Sequence, residues 1–422
     1  MKILLIQHLY FLNGIGGTEK ICSTLANILS TNGYEVEIAT NENIKGSPVF
    51  PLHKSVKVTN IFDASLEQML ELPIYNYKGP NPFLWLKYKA LKKYTKWYNR
   101  LLKQRMGGEA KLYQYNLRKR AILWKDYIDG LKPDLIITMS IGSLLEITYG
   151  NTLSIPIIDS VNGRPDYDYT NVLGGREAYM VDLLTASFDH LNGIQILFDS
   201  YRDFLPSNFS GQCVVIANPI QQVDPHDLVM HDCIKERYKI IHVGRLDTEC
   251  KQQHLAIAIF AELANKYPKW DLEFWGIGPD FDRLNNQIRD LGLSERVFLR
   301  GFSEDPLIKM RDADIFIFPS KYEGFGLALA EAMSVGLPSI GFSTCSGVNE
   351  LIKHNQNGFL ALDEQEMALY LEQLIMNPSL RSRFGVQSNL AIKAYSFENM
   401  TKGWLNLVRT VIKNVETKER ND

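Results

Sequence analysis

Short apolar segments alternate with helical patterns along this chain, and the alternation runs through the sequence twice. The first half contains seven strand-like segments: Ile3–Gln7, Glu35–Thr40, Val56–Ile61, Asp134–Met139, Pro156–Ser160, Gly193–Leu197 and Cys213–Ala217. The second half contains six more: Ile240–Gly244, Asp271–Trp275, Val297–Arg300, Asp314–Phe318, Pro338–Gly341 and Gly358–Ala361. Strands that alternate with helices indicate a parallel sheet covered on both faces. The sequence therefore predicts an α/β protein with two doubly wound domains.

The domain limits follow from the segments between these strands. We expect a first Rossmann-like domain at residues 1–220, with a helical insertion at about 63–130, and a second domain at 238–395. The polar stretch from Gln221 to Arg237 is predicted to link them. The short apolar run Met1–Ile6 leads into a glycine loop, which favours a first strand over a signal peptide.

Composition excludes several classes of protein. The chain is 45% hydrophobic and 22% charged with a formal net charge of −2, so no nucleic-acid partner is expected. Its five cysteines are scattered without a C-x-x-C pair, which favours a reducing, cytoplasmic setting over a disulfide framework or a zinc site. No apolar run approaches the ~20 residues of a membrane-spanning helix.

Two carboxylates, Glu323 and Glu331, are separated by seven residues around a Gly-Phe-Gly turn. The turn follows a predicted strand and precedes a predicted helix, so it lies at the carboxyl end of a strand, where open α/β sheets bind ligands. Backbone N–H groups at a helix N-terminus also favour anions.

The segment from Ser320 through Gly336 to Pro338 resembles the E-x7-E signature of retaining glycosyltransferases with the GT-B fold, the group 1 or family-four enzymes. The resemblance implies two Rossmann-like domains that face a central cleft, with residues 396–422 forming a helix that returns to the first domain. It also implies that Glu323 contacts the hydroxyls of the donor sugar and that Glu331 holds the ribose. The remaining donor-binding residues implied here are Gly324, Phe325, Gly326 and Leu327.

A second segment, from Val243 to Lys251, resembles the G-R-L-x-x-x-K segment of the family, although the spacing from Arg245 to Lys251 is one residue longer. The resemblance implies that both cations grip the diphosphate of the donor. Fixed cations and N–H donors can stabilise a leaving diphosphate, so no metal and no other cofactor is expected. The catalytic group would then comprise Glu323, Arg245 and Lys251.

Two further segments resemble donor-binding elements of the family. The loop Asn13–Lys20 resembles a G-G-x-E-R segment, which implies a close approach of Gly16 and Gly17 to the donor phosphates or the acceptor. Arg300 belongs to a segment that resembles the family's base-contacting turn. Trp275–Pro279 resembles a G-x-G-P loop. A plain turn remains the alternative for the last two segments.

The acceptor side departs from the family pattern. Many relatives have a His after a central strand of the first domain, whereas this chain has none from Asp159 to Pro165. Asn162 and Arg164 are candidates there, and His8 is a third. A structural His at position 8 remains an alternative.

The stretch from Asn81 to Gly108 has eight basic residues and no acid, with leucines and tyrosines at helical spacing. The cations are Lys87, Lys89, Lys92, Lys93, Lys96, Arg100, Lys103 and Arg105. The apolar stripe consists of Leu84, Tyr88, Leu91, Tyr94, Tyr98, Leu101 and Leu102. The pattern is typical of a helix that contacts a membrane surface or a lipid-linked acceptor. An insertion that packs its stripe on the domain and solvates its lysines is the alternative.

These features together predict a retaining, hexosyltransferase-type enzyme that uses a nucleotide-sugar, with UDP as the expected nucleotide. The acceptor would be a glycan, a lipid-linked molecule or a protein, in the synthesis of cell-surface polysaccharide or glycoconjugate. The enzyme would be cytoplasmic, and peripheral on the inner face of the membrane if residues 81–108 contact lipid. A phosphorylase, a sugar-nucleotide epimerase and a non-catalytic partner of an active transferase are the alternatives.

Overall fold

The computed structural model describes residues 1–419, and its strands form two separate parallel sheets. The strands of the first sheet are β1 (Lys2–Ile6), β2 (Glu35–Thr40), β3 (Lys57–Asn60), β4 (Leu135–Thr138), β5 (Ile157–Ser160), β6 (Gly193–Ile196) and β7 (Gln212–Val215). Those of the second are β8 (Tyr238–Val243), β9 (Trp270–Trp275), β10 (Val297–Gly301), β11 (Ile315–Phe318), β12 (Ser339–Phe342) and β13 (Gly358–Ala361). Every segment predicted as a strand is a strand, with ends that differ by a residue or two.

Each sheet has one point where the strand order reverses. The first sheet has the order β3-β2-β1-β4-β5-β6-β7, so its reversal lies between β1 and β4. The second has the order β10-β9-β8-β11-β12-β13, with the reversal between β8 and β11. Ligands of open α/β sheets bind outside the carboxyl ends of the strands at such points. The loops that follow β1, β4, β8 and β11 are therefore placed for binding.

Helices cover both sheets. They are α1 (Gly17–Thr31), α2 (Pro82–Arg105), α3 (Glu109–Leu131), α4 (Ile141–Thr148), α5 (Pro165–Tyr169), α6 (Ala178–Ser187), α7 (Gln253–Ala264), α8 (Phe281–Asp290), α9 (Pro306–Arg311), α10 (Leu327–Ser334), α11 (Val348–Leu351), α12 (Glu364–Met376), α13 (Pro378–Ile392) and α14 (Phe397–Glu419). Side-chain caps begin several of them; the Asp363 carboxylate, for example, accepts from the N–H of Glu366 at the start of α12.

The last helix, α14, packs against the first sheet although the second domain precedes it in the chain. Trp404, Val408 and Val411 are buried in the same core as Ile3 and Leu5 of β1. Within the predicted segment 396–422, residues 397–419 are helical, and residues 420–422 lie outside the described part of the chain. The chain thus crosses between the two domains twice.

The insertion between β3 and β4 contains two long helices, α2 and α3. A segment without regular structure precedes them. The Asn81 side chain caps α2 by accepting from the N–H groups of Phe83 and Leu84, with Pro82 at the first helical position. The α3 helix buries Leu117, Trp124 and other apolar residues in the first core. The α3 helix is thus part of the domain core, whereas α2 buries only Thr95 and Leu102.

Candidate active site

The two loops at the reversal point of the second sheet are joined by a short ion pair. Lys251, in the loop after β8, places its Nζ 2.6 Å from Oε1 of Glu323, in the loop after β11. The side chains are only 20% and 9% exposed, respectively. Burial by itself lowers the pKa of the Lys251 ammonium, but the Glu323 carboxylate outweighs this effect and raises the pKa above its ordinary value. Lys251 is therefore held as a cation beside Glu323.

Backbone contacts hold the same two loops together. The N–H of Lys321 donates to the carbonyl of Cys250 across 2.8 Å. The Asp247 carboxylate accepts from the N–H groups of Glu249 and Cys250, which closes the turn between Arg245 and Lys251. The turn therefore fixes the backbone between Arg245 and Lys251, the part of the loop that is one residue longer than in the family segment.

A chain of buried hydrogen bonds fixes the backbone at Arg245. The Gln253 amide donates to the carbonyl of Arg245 at 2.7 Å and lies 3.3 Å from Nε2 of His242. The other ring nitrogen of His242 is 3.0 Å from the carbonyl of Ile317, in the neighbouring strand. Burial lowers the pKa of His242 to about 4, so its ring is neutral, donates from Nδ1 and accepts at Nε2.

The Arg245 side chain itself points away from this buried support. It is 66% exposed, and its Nη2 contacts the Asp247 carboxylate at 2.6 Å. An exposed guanidinium held by one carboxylate can exchange that partner for an anionic ligand at small cost, because solvent screens an ion pair with an exposed member to ~0–1 kcal/mol. The rigid backbone and the free side chain together suit the binding of a diphosphate.

Glu331 lies in the second turn of α10 and reaches across to the first domain. Its Oε1 is 2.7 Å from Nζ of Lys20, in the first turn of α1. A Cβ on Gly17 would lie 3.0 Å from the side chain of Leu327, so the two helix N-termini approach closely. The glycine loop thus meets α10 at Leu327 and Glu331.

The glycine loop has its own buried anchor. The carboxylate of Glu42 accepts from three successive N–H groups, those of Tyr10, Phe11 and Leu12, at 2.9–3.0 Å. Further along the loop, burial raises the pKa of the Glu19 carboxyl, which accepts a hydrogen bond from Gln7 at 2.9 Å. These contacts determine where Gly16 lies at the start of α1.

Gly324 lies close against the first domain. A Cβ at this position would lie 2.1 Å from the carbonyl oxygen of Asn162. The carbonyl of Gly324 accepts from the Tyr201 hydroxyl at 2.6 Å. The neighbouring Phe325 is buried and stacks on Phe198, with ring centroids 5.3 Å apart. Gly326 is the N-cap of α10. Its φ of +83° is a left-handed conformation, which glycine adopts without strain.

The acceptor-side candidates are all engaged in internal contacts. The Asn162 amide donates to the carbonyls of Met139 and Ser160. Arg164 donates twice to the Asp166 carboxylate, at 2.7 and 2.9 Å, and once to the Ser346 hydroxyl of the second domain at 3.0 Å. In this structure both therefore shape the contact between the domains.

His8 lies at the reversal point of the first sheet. Its Nδ1 is 2.9 Å from the hydroxyl of Ser143, in the first turn of α4. Burial lowers the pKa of the His8 imidazole, so the ring is neutral near pH 7. A neutral imidazole beside a serine hydroxyl can donate a hydrogen bond to an acceptor sugar or accept one from it. The same imidazole can equally serve as a structural contact.

Arg300 is engaged on the outer side of the second sheet. Its Nη2 donates to the Glu273 carboxylate at 2.8 Å. The nearby G-x-G-P loop packs under the Arg245 loop, since a Cβ on Gly276 would lie 2.0 Å from the carbonyl oxygen of Gly244. The structure thus gives this loop a supporting role.

Comparison with known proteins identifies the second domain. Residues 231–389 match the family model described as Glycosyl transferases group 1. This region therefore resembles a group 1 glycosyltransferase domain, and the match covers less than half of the chain. It contains Arg245, Lys251, Glu323 and Glu331, and the match confirms the expectation of a glycosyltransferase enzyme.

Similarity to known glycosyltransferases extends over nearly the whole chain. An uncharacterized glycosyltransferase of Haemophilus influenzae is 25% identical over 396 residues, which cover 92% of this chain and 95% of that protein. The Campylobacter jejuni N-acetylgalactosamine-N,N'-diacetylbacillosaminyl-diphospho-undecaprenol 4-alpha-N-acetylgalactosaminyltransferase is 25% identical over 390 residues, 90% of this chain and 93% of that enzyme.

A solved structure shows the same fold. The TarM mutant of S. aureus in complex with fondaparinux, alpha-GlcNAc-glycerol and UDP has a TM-score of 0.69 at 17% identity, with 96% of this chain and 99% of that chain covered. Together with the two parallel sheets, this likeness confirms the GT-B arrangement of two Rossmann-like domains.

Several residues that shape the site were missed in the sequence. Lys20, Tyr201 and Ser346 each bond across the two domains, and Gln253 and His242 support the Arg245 loop. Local sequence gives no signal for a partner 311 positions away, as in the pair of Lys20 and Glu331. The position of Gln253 at the start of α7 could have suggested only a role in capping that helix.

Proposed function

We propose that this protein is a retaining glycosyltransferase that moves a sugar from a nucleotide-sugar, with UDP as the nucleotide, to an acceptor hydroxyl. The observation that carries the proposal is the meeting of the two E-x7-E carboxylates with two lysines, at 2.6 Å for Glu323 and Lys251 and 2.7 Å for Glu331 and Lys20. The nearby guanidinium of Arg245 adds a third cation. A nucleotide-sugar carries matching groups, since it has a diphosphate, ribose hydroxyls and sugar hydroxyls.

In the proposed mechanism the acceptor hydroxyl attacks the anomeric carbon on the face from which the diphosphate leaves. The bond from that carbon to the phosphate oxygen breaks, and an oxygen of the departing phosphate takes the acceptor proton. Arg245, Lys251 and the N–H groups at the start of α10 stabilise the charge that develops on the diphosphate. Glu323 orients the sugar hydroxyls, and no bound metal is required.

The acceptor class is proposed from the relatives. The Campylobacter enzyme is named for a diphospho-undecaprenol substrate, and TarM was solved with alpha-GlcNAc-glycerol and UDP. We infer a glycan, lipid-linked or protein acceptor in cell-surface polysaccharide or glycoconjugate synthesis, with transfer in the cytoplasm at the inner face of the membrane. The exposed free thiol of Cys233 is compatible with a reducing compartment.

The first experiment measures thermal stabilisation by UDP-, GDP- and ADP-sugars. A ligand at a hundredfold excess over its Kd stabilises the folded state by ~2.7 kcal/mol, which a melting curve resolves. We expect UDP-sugars to stabilise the wild type and to stabilise Glu323→Gln less. The matched control is Glu304→Gln, which changes an exposed carboxylate of the same domain.

Turnover then separates the alternatives. Release of nucleoside diphosphate with an acceptor, and a product whose anomeric configuration matches the donor by NMR, supports retaining transfer. Inversion at the anomeric carbon contradicts it. A requirement for inorganic phosphate would indicate a phosphorylase, and interconversion of free nucleotide-sugars an epimerase. Stabilisation without turnover on any acceptor in the panel would favour the non-catalytic partner.

A further inference from the structure

Helix α2 presents an apolar face that no other part of the described chain covers. Phe83, Leu86, Tyr94 and Trp97 are 82, 60, 52 and 59% exposed. At 100° per residue these four positions fall within roughly 80° of the helix circumference. Phenylalanine and tryptophan rarely stay this exposed in a group, and such a patch marks a contact surface.

The buried side of α2 lies elsewhere on the helix. Thr95 and Leu102 are its buried residues, and Tyr88 and Tyr98 are partly buried on the same side. The stripe predicted from the sequence is therefore divided: Tyr88, Tyr98 and Leu102 lie toward the protein, Leu101 is half-buried, and Leu84, Leu91 and Tyr94 are exposed. Packing on the domain accounts for only part of the apolar surface of this helix.

A row of cations borders the exposed apolar face. Lys89, Lys93, Lys96 and Arg100 are exposed and fall within roughly 60° of one another on the circumference, next to Leu86 and Trp97. Lys92 is different, because its ammonium donates to the Asn76 side chain. Residues 81–108 contain no acid, so the surface is complementary to a dense array of negative charge.

We propose that α2 docks this protein on an anionic phospholipid bilayer. In the docked state the helix lies parallel to the surface, with Phe83, Leu86, Tyr94 and Trp97 in the headgroup and upper acyl region. Lys89, Lys93, Lys96 and Arg100 contact lipid phosphates. A helix with one apolar and one basic side binds in this way, and exposed aromatic rings favour the interface. None of the helices described in the structure is long and apolar enough to cross a bilayer.

The attachment of α2 to the domain makes this orientation stable. Nζ of Lys103 lies 3.1 Å from carboxylate oxygens of both Glu71 and Glu109, and the Asn99 side chain bonds the backbone of Leu72 twice. The rings of Tyr77 and Tyr88 stack at 5.4 Å. These contacts all lie on the protein side, so docking requires no rearrangement of the helix.

The docking helix is also connected to the cleft by rigid elements. It is followed directly by α3, whose Arg120 pairs with Glu146 of α4 at 2.7 Å. The first turn of α4 contains Ser143, the partner of His8 at the reversal point of the first sheet. A docked α2 would therefore hold the acceptor side of the cleft in a fixed position relative to the membrane.

The test is cosedimentation of the full chain with vesicles, in the absence of donor, so that its outcome is independent of the proposed transferase activity. Vesicles of phosphatidylglycerol and phosphatidylcholine are compared with phosphatidylcholine alone, at 0.1 M and 1 M salt, where the Debye length falls from ~10 to ~3 Å. We expect binding to the anionic vesicles at low salt and much weaker binding under the other conditions.

Two variants separate the charged and apolar contributions. Each cation near an anionic surface strengthens partitioning by about fivefold, so neutralising four of them should weaken it several hundred-fold. That variant combines Lys89→Gln, Lys93→Gln, Lys96→Gln and Arg100→Gln. The apolar variant combines Phe83→Ser, Leu86→Ser, Tyr94→Ser and Trp97→Ser, and it should lose at least as much.

Matched controls change exposed residues of the second domain. Lys269→Gln, Lys353→Gln, Arg383→Gln and Lys393→Gln remove four cations there, and Leu369→Ser, Met376→Ser, Val386→Ser and Leu390→Ser remove four exposed apolar side chains. Both should bind vesicles as the wild type does. Circular dichroism and melting temperature show that every variant is folded.

Three results would overturn the proposal. One is a wild type that ignores anionic vesicles at low salt. Another is vesicle binding that the α2 variants do not reduce more than the controls. The third is a concentration-dependent dimer without lipid that Phe83→Ser and Trp97→Ser dissociate, since the apolar face would then be an interface between two copies of this chain.

Discussion

Replacing Glu331 by glutamine tests the proposed recognition of the nucleotide most directly. The side chain is 14% exposed and lies at the contact between α10 and the glycine loop, where its Oε1 is 2.7 Å from Nζ of Lys20. In the proposed complex the carboxylate accepts hydrogen bonds from the ribose hydroxyls. Glu331→Gln keeps the shape of the side chain and one acceptor oxygen but removes the charge.

The magnitude follows from the two interactions that are lost. A hydrogen bond to a charged group contributes roughly 1.5–3 kcal/mol, which corresponds to a ~10- to 150-fold higher Kd for UDP. The ion pair with Lys20 contributes less, because the Lys20 side chain is 45% exposed and solvent screens it to ~0–1 kcal/mol. Weaker UDP binding by Glu331→Gln should therefore exceed what loss of the ion pair alone could cause.

Isothermal titration calorimetry with UDP measures the effect, and Lys20→Met is the matched variant. It breaks the same ion pair but leaves the carboxylate in place, so we expect at most a fivefold change in Kd. A Kd for Glu331→Gln within twofold of the wild type would refute the ribose role. Equal losses in both variants would assign the effect to contact between the domains instead.

The remaining predictions concern turnover, the contact between the domains and pH. Arg245→Gln should lower kcat ~10²-fold or more in a steady-state assay while leaving the melting temperature unchanged, because the exposed guanidinium supports charge on the leaving diphosphate rather than the fold. EDTA should leave kcat unchanged, and loss of activity restored by a divalent metal would contradict the metal-free mechanism. Gly324→Ala should cost roughly 1–3 kcal/mol in denaturant unfolding, since its Cβ would lie 2.1 Å from a carbonyl oxygen across the domain contact, whereas Gly130→Ala meets no atom within 4 Å and should not destabilise the protein. The pKa of His242 falls from 6.5 to about 4 on folding, so the unfolded chain binds more protons between these values. His242 should therefore lower the stability by about 3 kcal/mol as the pH drops through this window, and His242→Gln should remove this contribution whereas the exposed His190→Gln should not.

Much of the fold could be predicted from local sequence because buried parallel strands have a simple signature. Segments such as Ile315–Phe318 are continuously apolar and short, and glycine or polar turns flank them. The same pattern placed the Arg245 loop after β8 and the Glu323 loop after β11. Since β8 and β11 proved to be neighbours at a reversal point, these two loops meet, as the resemblance to the family implied.

The roles of individual glycines and polar groups could not be predicted from the sequence pattern alone, because they depend on tertiary contacts. Gly324 was expected among the donor-binding residues, and the structure shows that its missing Cβ allows close approach to Asn162 of the other domain. Arg164 was predicted on the acceptor side, yet its guanidinium is bound to Asp166 and Ser346. Hydrogen-bonding capacity can be read from residue type, but the partner that uses it depends on distance.

The sequence by itself determined the two-domain α/β fold, the loops at the strand ends and the residue types available for phosphate and sugar, because these depend on periodicity and on neighbours along the chain. The tertiary structure alone decided the pairing of Lys20 with Glu331 and the side of α2 that faces solvent. Both depend on how elements far apart in sequence approach each other. In α2, leucines and aromatic residues occur around most of the circumference, so periodicity could not select a buried side; packing against α3 and residues 72–80 selected the side of Thr95 and Leu102 and left Phe83 and Trp97 exposed.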